Sequence, residues 1–97
     1  MQAIERSTTA EEEPLAKAFG IALHCLRQDC GLSQEDLGFK SGYHRTYISL
    51  LERGKKSPSL QTIFRLSEAL NIDPSELIKQ VQSRNDEFIK ALKAGDD

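Results

Sequence analysis

The chain has 97 residues, room for one small domain and perhaps one appended element, and a formal net charge of only −2. Trp is absent, proline and glycine are sparse, and no apolar run approaches the roughly 18 residues of a membrane span. Neither a spanning helix nor a secretory leader is therefore expected, and the expected location is the cytoplasm.

Residues 1–13 set Arg6 against Glu5, Glu11, Glu12 and Glu13 without periodicity, and read as a disordered acidic segment. Pro14 suits the first turn of a helix whose apolar stripe is Leu15, Ala18, Phe19, Ala22, Leu23 and Leu26. Cys25 and Cys30 lack the paired spacing of a zinc site, even with His24 beside the first, and read as free thiols. Gly31 ends the helix. Ser33 caps a second helix, with Asp36 placed to complete a capping box. Leu37 faces the core, Gly38 permits a close helix approach and Gly42 supplies the turn. A third helix runs from about His44 to Arg53 with Ile48 and Leu51 inward, and Gly54 closes it. After the loop Lys55-Lys56-Ser57-Pro58, Ser59 caps a fourth helix that buries Leu60, Ile63, Leu66 and Leu70. Asp73-Pro74-Ser75-Glu76 starts a fifth. Five helices and no strand make the predicted fold all-α.

The fifth helix outruns the needs of a compact domain. Ile78, Val81, Asn85, Phe88 and Leu92 follow a heptad spacing with one polar member, which suits a dimer seam in which Asn fixes register. The alternative is packing against the chain's own first helix. The predicted organisation is thus a domain over 14–79 and a dimerising continuation over 80–97.

Two short helices joined at Gly42, the second with outward polar groups, form a unit able to enter the major groove of DNA. Residues 40–56 support this reading: Lys40, Arg45, Arg53, Lys55 and Lys56 face a single acid, Glu52. Net charge alone conceals such a basic patch.

The segments Leu26-Arg27, Gly31-Leu-Ser-Gln-Glu, Leu37, Tyr47-Ile-Ser, Glu52-Arg-Gly, Pro58-Ser-Leu, Leu66 and Asp73-Pro-Ser-Glu-Leu follow one another with the order and spacing of a family. From Phe19 to Ile78 the chain resembles the lambda-repressor-like, or Xre-type, helix-turn-helix regulators. The resemblance implies a five-helix DNA-binding domain with an extended C-terminal helix, in which the third helix is the recognition helix. It puts Gln34 at a phosphate, with open helix-terminal amides beside it. Arg45, Thr46 and Ser49 become the base readers, Arg45 because its guanidinium matches the two acceptors of guanine. Leu50 lies toward the groove edge. His44, Tyr47, Arg53, Lys55 and Lys56 become phosphate contacts, supplying affinity rather than sequence choice. His44 departs from the usual Ser or Thr cap, and His24 from the usual basic residue. Arg27 and Glu52 correspond to the family's ion pair between the first helix and the end of the recognition helix.

The run His44-Arg-Thr-Tyr-Ile-Ser also resembles segments of restriction–modification controller proteins. The leading reading is a homodimeric transcriptional regulator, repressor or activator, on an inverted-repeat operator in double-stranded DNA. Glu35 and Asp36 lie where some relatives touch RNA polymerase, which keeps an activating role among the readings. A competing one is an antitoxin-like module whose fifth helix engages another protein. No glycine-rich phosphate loop, ligand cluster or nucleophile–base pairing is discernible, so no enzymatic activity, metal or cofactor is expected.

Overall fold

A computed structural model describes residues 12–94, which form five helices: α1 Glu12–Asp29, α2 Gln34–Ser41, α3 Arg45–Glu52, α4 Leu60–Ala69 and α5 Pro74–Ala94. Helix α1 begins two residues ahead of Pro14, so Glu12 and Glu13 belong to it rather than to the acidic segment. Pro14 still falls in the first turn, where its missing amide hydrogen has no helical partner to lose. The remainder of the expected disordered segment lies outside the described residues. Among the described residues no helix is long and apolar enough to cross a membrane.

The caps follow the local sequence. Ser33 Oγ accepts from the Asp36 amide at 2.9 Å, and the Asp36 carboxylate accepts from the Ser33 amide at 3.1 Å. At α4, Ser59 Oγ accepts from the Thr62 amide. Gly42 closes α2 with φ of 85°, a left-handed backbone that glycine adopts without a Cβ penalty.

Ala18, Phe19, Ala22, Leu23 and Leu26 of α1 meet Leu37, Ile48, Leu51, Leu66, Leu70, Leu77 and Val81 in one core. Two leucines depart from the expected stripes: Leu15 is 50% exposed and Leu60 71% exposed. Both stand in the first turn of their helices, where the buried stripe has not yet reached the core. A Cβ on Gly20 would sit 2.5 Å from the Glu52 carbonyl oxygen, and one on Gly38 2.5 Å from that of Tyr43. These glycines set how closely α1 approaches the end of α3 and α2 approaches the turn that leads into it.

Helix α5 packs along α1 and also touches α4. Within one chain the expected dimer seam is partly covered: Val81 is buried, Phe88 packs half-buried against the core, and Asn85 is half-buried with an unpartnered side-chain oxygen. Arg84 Nη2 reaches Cys25 Sγ on α1 at 3.6 Å. Of the five seam positions, Ile78 and Leu92 are classed as exposed. The stripe of α1 needs a cover, and a tethered helix supplies it without the entropy loss of bringing in a second molecule.

Candidate nucleic-acid interface

The turn between α2 and α3 is tight. The Gly42 and Tyr43 amides both donate to the Gly38 carbonyl at 2.8 Å. His44 then caps α3: its Nδ1 accepts from the Thr46 amide at 3.0 Å. That contact requires a bare Nδ1, leaving an Nε2 hydrogen free to donate to an anion. Arg45 and Thr46 stand fully outward in the first turn, while Ile48 and Leu51 anchor the opposite side of α3 in the core. Ser49 and Leu50 are half-buried.

Behind the helix, Glu52 gathers groups from two other helices. Arg27 donates to it twice, from Nε to Oε2 at 2.6 Å and from Nη2 to Oε1 at 3.0 Å, and its Nη1 donates to the Leu32 carbonyl at 2.8 Å. Gln34 Nε2 donates to Oε1 at 3.0 Å, and His24 Nδ1 lies 3.0 Å from the same oxygen. The side chains of Arg27 and Glu52 are 10% and 5% exposed, respectively. Burial opposes ionisation of Glu52, but the hydrogen bonds from Arg27, Gln34 and His24 outweigh it and hold its pKa below the ordinary carboxylate value. The same bond to Glu52 raises the pKa of Arg27 against the opposing effect of burial. The structure thus brings Arg27 and Glu52 together as the family pattern implies. It also ties Gln34, placed at a phosphate by resemblance, to that carboxylate; the second amide hydrogen of Gln34 is left for an anion at the start of α2.

Arg53 follows α3 as its C-cap, and its Nε donates to Ser49 Oγ at 3.2 Å, which couples an expected phosphate contact to an expected base reader. Lys55 and Lys56 are exposed on the next loop. On α2, the Asp36 carboxylate is committed to the Ser33 cap, whose backbone and side-chain hydrogen bonds lower its pKa. Glu35 is exposed beside it.

Tyr47 packs its ring 5.0 Å from that of Tyr43, and both hydroxyls approach Thr62, at 3.5 Å and 2.9 Å. Ser59 Oγ donates to the same Thr62 hydroxyl at 3.1 Å. This cluster was invisible in sequence, because its members come from the α2–α3 turn, α3, α4 and the α4 cap, and no periodicity links them. The convergence of His24 and Gln34 on Glu52 was missed for the same reason. Among the described residues, no group of His, Cys, Asp and Glu is arranged to hold a metal ion.

The chain matches the family described as helix-turn-helix over residues 26–77. It is 36% identical over 64 residues to an uncharacterized HTH-type transcriptional regulator, y4dJ, of Sinorhizobium fredii, covering 66% of this chain and 83% of that one. It is 47% identical over 47 residues to the control protein C.BamHI of Bacillus amyloliquefaciens, covering 48% of this chain and 58% of the relative. Among solved structures, the restriction–modification controller protein C.AhdI of Aeromonas hydrophila superposes with a TM-score of 0.63 at 47% identity. That alignment covers 64% of this chain and 94% of the other.

Proposed function

Since the chain belongs to the helix-turn-helix family of DNA-binding transcriptional regulators, we propose that it acts as a homodimer, inserting one α3 into each half of an inverted-repeat operator. The observation that carries this reading is the division of α3 into two sides. Arg45 and Thr46 stand outward, next in sequence to a turn closed by Gly42, while Ile48, Leu51 and Glu52 lock the helix from behind. Arg45 reads a guanine, Thr46 offers a methyl or hydroxyl to a base edge, and Ser49 adds a weaker contact steered by Arg53. Lys55, Lys56, Arg53, the free nitrogen of His44, the Tyr47 hydroxyl and the start of α2 at Gln34 hold the phosphates.

The dimer contact in this reading is no longer the heptad seam, most of which packs on α1. It falls instead around the α4–α5 junction, where Leu60 and Phe64, one turn apart on α4, and Ile78 on α5 are exposed. Phe64 and Pro74 line one shallow depression there, and Ile63 and Ile78 join Leu15 and Phe19 of α1 around a separate crevice of about 170 Å³. A single eight-residue helix reads few base pairs, so pairing two copies is what makes an operator long enough to be selective. Similarity to control proteins supports a role in restriction–modification control. Exposed Glu35 is the residue of α2 available to an RNA polymerase contact, Asp36 being spent on its cap.

The test is fluorescence anisotropy with random-sequence duplexes across a salt series, followed by sequencing of the retained DNA. Salt-dependent binding with enrichment of an inverted repeat is expected, and Arg45→Ala should relax selection at one position per half-site by about 1–3 kcal/mol. An absence of binding at low salt by folded protein would sink the regulator reading. It would leave a protein-partner module, in which the apolar face on α4 and α5 serves a different chain.

A further inference from the structure

The hydroxyl cluster beside α3 carries a constraint on hydrogen-bond direction. Ser59, Thr62, Tyr43 and Tyr47 bring four hydroxyl hydrogens, and three contacts join them, all at Thr62 Oγ1. One hydrogen must therefore point out of the cluster. Ser59 donates into Thr62 and fills one of its two acceptor positions. The threonine then has one acceptor position and one hydrogen left for two tyrosines, so one phenol donates to it and the other receives from it. A phenol is the more acidic donor and an alkyl hydroxyl the better acceptor, which assigns the shorter 2.9 Å contact to donation by Tyr43. Thr62 consequently donates to Tyr47, across 3.5 Å, and the Tyr47 hydrogen is the one turned outward.

We propose that Thr62, only 4% exposed, is a positioning residue for DNA binding: it fixes the polarity of the Tyr47 hydroxyl so that this group faces the backbone as a donor. The inference rests on the DNA-binding reading above. A phosphate oxygen only accepts, so a phenol with its hydrogen committed inward would meet it lone pair to lone pair. Tyr47 lies on α3, two positions beyond Arg45, and is half-exposed.

Because a phosphate contact is independent of sequence, a short random-sequence duplex at low salt is a sufficient probe. Tyr47→Phe should weaken binding roughly tenfold. Thr62→Val should weaken it in the same direction, whereas in the Tyr47→Phe background it should change affinity by less than about twofold. Thr62→Ser should restore wild-type affinity. Tyr43→Phe keeps both rings and leaves the buried threonine untouched. It frees an acceptor position on Thr62, lets the Tyr47 hydrogen turn inward, and should also weaken binding only while Tyr47 keeps its hydroxyl. Thermal unfolding midpoints of every variant check that the fold persists. Equal losses in the Tyr47 and Tyr47→Phe backgrounds would make Thr62 merely structural and overturn the proposal, as would full affinity in both Thr62→Val and Tyr43→Phe. Wild-type protein that binds no duplex would overturn the DNA-binding reading itself.

Discussion

Glu52 accepts from side chains of α1 and α2 while sitting at the end of α3, and at 5% exposure it cannot turn to water if a partner is lost. Its energetics differ from those of a surface ion pair, which contributes little. Arg27→Ala leaves the buried carboxylate without its cation, with only the Gln34 and His24 hydrogen bonds remaining, and should destabilise the fold by about 3 kcal/mol in denaturant unfolding. The pH dependence has a definite sign. A carboxylate whose folded pKa is depressed contributes stability that is fully present above its ordinary value of 4.5 and is lost as pH falls through the folded value. The unfolding midpoint of the wild type should therefore drop between about pH 5 and pH 3 more steeply than that of Glu52→Gln. Equal slopes would show that the network contributes nothing in acid.

At the scale of elements, α3 is held at contact distance by glycines at both of its ends. Gly20 meets the carbonyls of Leu51 and Glu52, and Gly38 that of Tyr43, all backbone atoms that cannot swing aside. Gly20→Ala should destabilise by about 1–3 kcal/mol despite the better helix propensity of alanine, a loss that calorimetry would register. The Ser33 capping box, the Ser59 cap, the Gly42 turn and the inward face of α3 were readable in sequence because each depends on residues within one turn of each other. The role of Gly20 was not, since its neighbour is thirty-odd positions away. The seam on α5 was legible only in part: a heptad stripe states that a helix face is covered, and the pattern is the same whether α1 or a second copy covers it. Leu15 and Leu60 failed because apolar character at a helix start satisfies the stripe without reaching the core.

For the whole molecule, moving the dimer contact to the α4–α5 junction makes a prediction that the seam did not. Phe64→Glu places a charge at a 55% exposed position, with little consequence for the monomer fold. It should convert the dimer to monomer in sedimentation equilibrium and weaken binding to an inverted repeat far more than binding to a single half-site. A wild-type chain that sediments as a monomer at micromolar concentration would count against the homodimer. An unchanged dimer in Phe64→Glu would put the contact elsewhere on the surface.

The two sides of α3 are under unequal physical constraint. Exchanging Ile48, Leu51 or Glu52 disturbs the core or the buried charge network, whereas Arg45 and Thr46 face outward from the first turn. Mutation can therefore wander through the outward positions at almost no thermodynamic cost, and duplicated copies can diverge toward separate operators while sharing one scaffold. Under the operator-reading proposal, a cell holding several such proteins would keep their circuits apart through a few side chains on a helix only eight residues long.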